Sequence, residues 1–294
     1  MENRLIAGLG ELLYDVFPTG VKQIGGAPVN FVYHLCQMGF DTVAVSAVGK
    51  DALGDGIIDF LKEHHLKNMV ARVDYPTGTV QVDLDGEGVP HFTICEGVAW
   101  DYIPLSTELL ELARKCSVLC FGTLAQRSCT SFATVNAFID AMPVSDDVLR
   151  IYDINLRQHY YSRELIENSL RKSNVLKIND DEFHMLSAVL GYDGSRFDCG
   201  CRGMMARYGL GTVILTCGAE GSYIFTEDEE SFLPTPHVDV VDTVGAGDSF
   251  TAAFTASILR GRSIHEAHRR AVDVAAYVCT QNGAMPILPD CLKD

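Results

Sequence analysis

The chain lacks most of the marks by which a sequence declares a compartment, a metal or a nucleotide. It has no run of about twenty apolar residues, so nothing in it reads as a membrane-spanning helix. The opening stretch MENRLIAGLGELLYDVFP has no basic segment followed by an apolar core and a small-residue cleavage site, so no secretory signal is expected. Basic residues are scarce: 23 Lys and Arg stand against 39 Asp and Glu, a formal net charge of −16. That balance argues against a nucleic acid or an anionic membrane as partner. It leaves room for an anionic substrate, because a local cluster of donors overrides the global field. Ten cysteines are scattered without a CxxC pair, and Cys199-x-Cys201 is too tight for the usual zinc spacing. The expectation is a reduced, soluble, cytoplasmic protein whose cysteines fill the core.

Familiar nucleotide motifs are missing as well. The single Gly-Lys pair, Gly49-Lys50, runs into Asp51 and makes no phosphate loop. Gly245-x-Gly247 is followed by Phe250 where a dinucleotide fingerprint needs its third glycine, and no GxSxG elbow occurs. His265 and His268 share a helix face, but their spacing is not HExxH and nothing nearby completes a metal site.

What is present is alternation. Strand-like runs (LIAGLGELL, TVAVSAVG, SVLCFG, VLRIYDIN, NVLKIN, TVILTCG) alternate with helical patterns (PVNFVYHLCQMG, GDGIIDFLKEHH, LSTELLELARKC, TSFATVNAFIDAM, DDEFHMLSAVLG). This order predicts βαβ units, a mostly parallel central sheet and helices on both faces: a three-layer α/β/α sandwich. Two stretches break the rhythm. Residues 12–25 read as β, and residues 75–102 read as period-2 strands joined by Asp85-Gly86-Glu87-Gly88, a hairpin signal. One domain over residues 1–294, carrying a small β-lid from about 12–25 and 75–102, is the expected organisation. Near the end, Gly261 stops one helix and Ser263-Ile-His-Glu266 opens the next as a capping box.

The stretch DTVGAGDSF, Asp242 to Phe250, places Gly245, Ala246 and Gly247 before an apolar helical segment. A glycine-rich turn at a helix start offers uncovered amides to an anion. Asp248 at its mouth reads as a helix-start acid favoured by the dipole. It also reads as the group that orients a hydroxyl toward a phosphate held by those amides, which is most of what phosphoryl transfer requires.

DTVGAGDSF resembles the carboxyl-terminal signature of the ribokinase-like (PfkB) sugar kinases, and other features similar to theirs follow in order along the whole chain. The resemblance implies a ribokinase-like fold, a catalytic base at Asp248 and an anion hole at Gly245, Ala246 and Gly247. It assigns Gly25, Gly26 and Asn30 of GGAPVN, and Asp15 of GELLYD, to sugar hydroxyls; Gly49 to Gly54 match a turn read as structural. Asp153-Ile-Asn155-Leu-Arg157 resembles a fructokinase DxNxR pattern in which Arg157 clamps phosphate or stabilises the transferring group. Asn179 and Glu182 match an NxxE motif that organises Mg²⁺ through water, although the same residues read as a capping box. Thr216, Gly218 and Gly221 match a nucleotide loop, and Asn282 falls where the adenine pocket closes. Asp242 and Gly283 match positions that hold a monovalent cation such as K⁺ in many relatives.

The lid segment from Pro76 to Tyr102 has no Lys or Arg, and offers Phe92 and Trp100 as apolar faces for a neutral sugar. Those aromatics read equally as packing within the lid or across a dimer contact. Together these residues imply an ATP-dependent fructokinase-like enzyme, working with Mg²⁺ as a lid-paired homodimer. Kinases of ribose, 2-keto-3-deoxygluconate or a nucleoside are the alternatives in the same class, and a non-catalytic sugar or nucleotide sensor stands outside it.

Overall fold

A computed structural model describes residues 4–84 and 90–294, with the side chains of all of these except 83, 84 and 90–92. The chain opens with β1 (Leu5–Leu9), β2 (Leu13–Val16) and β3 (Lys22–Gly25), then enters α1 (Ala27–Gln37), β4 (Asp41–Gly49), α2 (Ala52–Glu63), β5 (Lys67–Val73), β6 (Gly78–Leu84) and β7 (Pro90–Ile94). It continues through α3 (Thr107–Lys115), β8 (Cys116–Gly122), α4 (Cys129–Ala141), β9 (Leu149–Asp153), α5 (Arg163–Lys172), β10 (Val175–Asn179), α6 (Asp180–Leu190), α7 (Phe197–Tyr208) and β11 (Thr212–Thr216). The last elements are β12 (Ser222–Thr226), β13 (Glu230–Leu233), α8 (Ala246–Leu259) and α9 (Ile264–Cys279).

Nine strands form the central sheet in the order β13-β12-β11-β10-β9-β8-β1-β4-β5. From β11 to β5 every pairing is parallel; β12 and β13 join antiparallel at one edge. Parallel strands buried on both faces read as continuous apolar runs, as TVAVSAVG does. One face packs against α3 to α7, around Phe138, Tyr152 and Phe183. The other packs against α1, α2, α8 and α9, around Phe31, Ile57 and Phe250. The three layers expected from the alternation are present.

A second sheet has the order β3-β2-β6-β7. It draws its strands from the two segments expected to be β, with one difference: β2 and β6 pair in parallel, because the chain passes through α1, β4, α2 and β5 between them. The hairpin turn at residues 85–88 lies outside the described residues. Strand order and chain order also show why α5 and α7 escaped the pattern reading. Helix α5 buries a narrow stripe, Ile166, Ser169 and Leu170, under a charged surface. Helix α7 carries Gly200, where a Cβ would lie 2.5 Å from the Phe183 ring. That glycine lowers helix propensity for the sake of a close ring contact. The expected helix ends are borne out: Gly261 turns left-handed after α8, and Ser263 with Glu266 caps α9.

Asp51 fastens the small sheet to the body of the protein. It caps α2 through the Gly54 N–H at 2.8 Å. It also accepts the Thr77 N–H at 2.8 Å and the Thr77 hydroxyl at 2.6 Å, just before β6. Burial alone would raise this carboxyl, but the bonds from Thr77 and Gly54 and the charge of Arg72 outweigh it and hold Asp51 below the usual carboxylate value. A depressed carboxyl contributes stability above its unfolded pKa and loses it as pH falls through the folded one. Asp51→Ala is therefore expected to cost about 1–2 kcal/mol in urea unfolding at pH 7. The gap to the wild type should close below the ordinary value of 3.8; a gap independent of pH would mean that charge plays no part.

Candidate active site

Parallel strands bring their carboxyl ends to one edge of the sheet, and ligands of such sheets sit there. The ends of β9, β10 and β11 are Asp153, Asn179 and Thr216, and the segments that follow β1 and β9 carry Glu11, Asn155 and Arg157. Asn179 and Thr216 are register partners on adjacent strands. Sequence positions hundreds of residues apart therefore meet at one crevice.

Helix α8 points its N-terminus into that crevice. Gly245 caps it in the left-handed region, at φ 77°, and supplies no side-chain bond. The amides of Gly247 and Asp248, in the first turn, are left without intrahelical partners. The positive φ is one reason for Gly245; the other is that a Cβ there would strike Ala284 at 2.6 Å. Gly247 has a different reason. A Cβ on it would lie 2.8 Å from the Lys177 ammonium, so the second glycine makes room for a buried lysine at the anion turn.

Asp248 is half-buried and accepts the Asn30 Nδ2 at 2.7 Å. Burial raises its pKa, helped by the charge of Glu11; the Asn30 bond and the charges of Lys177 and Arg157 oppose the shift. Lys177 stands 3.6 Å from Asp153, both side chains being almost fully buried. Burial disfavours its charge, yet the carboxylates of Asp153, Glu182 and Asp248 outweigh burial and raise its pKa. Asp153 is itself raised, first by burial. Neither Lys177 nor Glu11 stood out in the sequence. Lys177 sits inside an apolar strand, VLKIN, and a charge at a buried strand position is the signal that would have singled it out.

The other sugar-side positions meet here. Asp15 lies across β2 from Gln23, and a Cβ on Gly25 would come 3.3 Å from its Oδ2. Burial, then the charge of Asp242, push Asp15 up to about 6. Gly26, at φ 130°, lets the chain pass over the Glu11 carbonyl, 2.2 Å from where a Cβ would sit. Asn155 holds a left-handed φ of 42°, and its Nδ2 donates to Glu11 Oε1 at 3.4 Å. Arg157 is exposed at the rim; its charge is felt by Glu11, Asp15, Asp153 and Asp248.

On the nucleotide side, Asn179 and Glu182 form a complete capping box at the start of α6. Glu182 also accepts the Leu156 N–H at 3.0 Å, which ties this turn to the Arg157 loop. Gly218 and Gly221 turn the chain from β11 to β12 with positive φ, and a Cβ at Gly221 would meet the Leu233 carbonyl at 2.5 Å. Asp242 accepts the N–H groups of Val244 and Gly283, each at 3.0 Å, so the Asp242–Gly283 pair is assembled. Asn282 is exposed beside it. Behind this turn His34 bonds the Ala284 carbonyl at 2.9 Å, and burial pushes its pKa down to about 4.

Two aromatic assignments fare differently. Trp100 is 0% exposed. It packs with Leu13, Val80, Ile94 and Leu124, under the Arg127 guanidinium at 4.0 Å and against Gly78, where a Cβ would meet its Nε1 at 2.3 Å. It offers no face to a sugar; it joins the small sheet to the body. Phe92 lies opposite Val82 on β7, and its side chain lies outside the described ones. A cleft of about 800 Å³, lined by Glu96, Arg127, Phe132 and Tyr160 among others, contains none of the expected site residues. His268 bonds Ser222 and Ser231 inside the protein, and among the described residues no cluster of three metal-ligating side chains occurs.

Two outcomes are expected. Asp248 has a raised folded pKa, so the folded state holds its proton to higher pH than the unfolded state, and stability falls as pH rises through that window. Asp248→Asn should unfold at a higher urea concentration than the wild type at pH 7, with the difference shrinking toward pH 4. Lower stability of the variant at pH 7 would contradict this. For Trp100, replacement by Ala is expected to cost about 3–5 kcal/mol in urea unfolding. Trp100→Phe should lower the unfolding midpoint and leave the sugar KM within about threefold; a raised KM at unchanged stability would restore a stacking role.

Comparison with known proteins agrees with this fold. The profile described as "pfkB family carbohydrate kinase" matches residues 14–291. The chain is 28% identical to a probable fructokinase-2 of Arabidopsis thaliana, over 98% of its length and 94% of that protein. It is also 28% identical to an ATP-dependent 6-phosphofructokinase of Thermoanaerobacterium thermosaccharolyticum, over 96% of its length and 90% of that protein. Among solved structures, the fructokinase of Xylella fastidiosa with bound ATP superposes with a TM-score of 0.84 at 19% identity, covering 98% of this chain and 95% of that one. The fructokinase of Vibrio cholerae O395, in its fructose, ADP and calcium ion bound form, gives 0.80 at 22% identity, with 98% and 96% covered. The fold, the ordered strand ends and the match across nearly the whole chain lead to one conclusion: this protein belongs to the pfkB family of carbohydrate kinases.

Proposed function

We propose that the enzyme transfers the γ-phosphate of MgATP to a hydroxyl of a neutral sugar, fructose first among them. The observation that carries this reading is the N-terminal turn of α8: uncovered amides at Gly247 and Asp248, a buried ammonium at Lys177, and the Asp248 carboxylate at one opening. Gly245, Ala246 and Gly247 receive the transferring phosphoryl group, with Lys177 and the exposed arm of Arg157 neutralising its charge. Asp248, oriented by Asn30, accepts the proton of the attacking hydroxyl as the P–O bond forms. Its raised pKa makes it a better proton acceptor than an ordinary aspartate.

Mg²⁺ fits this donor set in a restricted way. Both oxygens of Glu182 already take backbone N–H groups, as does the Asn179 amide oxygen. These residues would hold the ion through water, with phosphates as its main ligands, as is usual for Mg²⁺. When bound, the ion would supply charge neutralisation at the phosphates. Asp242 and Gly283 would organise a K⁺ site, and Thr216, Gly218, Gly221 and Asn282 would line the path of the nucleotide.

The small sheet serves as a lid, and its unpaired edges at β3 and β7 suit pairing with a second copy in a homodimer. A neutral acceptor is favoured over fructose 6-phosphate by charge: Lys22 is the one Lys or Arg in the four strands of that sheet, and Asp15 faces the crevice. No helix among the described residues is long and apolar enough to cross a membrane; cytoplasmic location is part of the proposal.

ATP-to-ADP turnover should be measured with Mg²⁺ and K⁺ against fructose, ribose, 2-keto-3-deoxygluconate, adenosine and fructose 6-phosphate. Fructose is expected to give the highest kcat/KM. Asp248→Asn is expected to lose about 10²–10⁴-fold in kcat while still binding MgATP. Preference for another sugar would move the substrate; undiminished turnover of the variant would remove Asp248 from its role.

A further inference from the structure

Two buried oxygen atoms beside Asp248 have no hydrogen-bond partner: Glu11 Oε2 and Asn30 Oδ1. Their residues are 2% and 3% exposed. A buried acceptor without a donor costs free energy, and such groups in folded proteins are nearly always satisfied. Here the two orphans flank the same carboxylate. Asn30 spends its Nδ2 on Asp248 at 2.7 Å, which leaves its Oδ1 over. Glu11 is close enough for its charge to raise the pKa of Asp248.

Glu11 also does structural work. Helix α1 is capped by Gly26, which has no side chain to offer, and the Glu11 carboxyl is buried close enough to the Ala27 N–H for that group to lower its pKa against the rise caused by burial. Its Oε1 accepts from Asn155 at 3.4 Å. These bonds explain why a carboxylate stands there. Oε1 carries the Asn155 bond, and Oε2 has no hydrogen-bond partner.

With Glu11 ionised both atoms are acceptors, so a donor is what satisfies them. Building on the kinase reading above, we infer that Glu11 is a sugar-binding residue: its Oε2 accepts a hydroxyl of the acceptor other than the one that attacks, while Asn30 Oδ1 takes another. A carboxylate holding a hydroxyl makes a charge-assisted bond, stronger than a neutral one. The same wall repels anions. A phosphate or carboxylate placed there would face Glu11, Asp15, Asp153 and Asp248, with Lys177 already paired to Asp153 at 3.6 Å, so this end of the site favours a neutral, hydroxyl-rich ligand.

The test uses the full chain and the best neutral acceptor of the wild-type panel. Glu11→Gln keeps the shape of the side chain and an oxygen for Asn155. It is expected to raise the acceptor KM about tenfold or more, with the MgATP KM within about twofold. A series of deoxy analogues of that sugar supplies the readout that a purely structural role would not move. The analogue lacking the hydroxyl held by Glu11 should show equal KM with wild type and variant, while the other analogues keep the difference. Should Glu11→Gln fail to fold, Glu11→Asp withdraws the charge by one methylene and carries the same comparison. Unchanged acceptor KM would overturn the inference, as would parallel losses for sugar, every analogue and nucleotide, the mark of a mere cap on α1. A wild type that turns over no neutral sugar would instead overturn the kinase reading itself.

Discussion

The buried ammonium of Lys177 sets the constraints that the rest of the site obeys. It lies among the carboxylates of Asp153, Glu182 and Asp248, away from water and against the first turn of α8. Charges so placed are tolerable only when paired, and Asp153, 3.6 Å away, is the carboxylate paired with it. The arrangement explains Gly247, since any side chain there would displace the ammonium. It also sets the opposing influences on Asp248: burial and Glu11 push its pKa up, while Asn30, Lys177 and Arg157 pull it down.

Around this centre the backbone is unusually constrained. Gly245 is fixed by its positive φ and by Ala284 behind it; Gly26 is fixed by the Glu11 carbonyl. Asn155 holds a left-handed conformation that asparagine tolerates better than most residues. Glu182 spans from its own capping box to the Leu156 N–H and so ties the α6 start to the Arg157 loop. Preorganisation of this kind lowers the cost of aligning two substrates. Arg157, by contrast, is left exposed at the rim, as a group that must reach a transferring phosphate would be. The small sheet is anchored at defined points, by Asp51 to Thr77 and by Trp100 under Arg127.

Much of the fold was legible because its signals are local. Alternating strand and helix patterns gave the three layers, and the capping boxes at Ser263 and Asn179 marked helix starts through contacts three residues long. Where local signals conflict with packing, pattern reading failed. Helix α7 carries a glycine for the Phe183 ring, and α5 buries too little to show a broad apolar face. Trp100 illustrates the same limit at the site. An aromatic in a lid reads as a stacking surface, yet its ring is enclosed by residues from four separate segments.

The sequence by itself determined the class of the protein: a glycine-rich turn into a helix, an aspartate at its mouth and a family likeness from end to end. Those are properties of contiguous residues, and their geometry is set by φ, helix dipole and chain direction. Tertiary structure alone decided which charges face Asp248. Lys177 and Asp153 lie on the adjacent strands β10 and β9 and Glu11 in the segment after β1, and their proximity depends on the strand order at the centre of the sheet. The strength of their interaction depends on burial. Neither strand order nor burial is carried by any short motif, because both arise from how distant segments share one crevice.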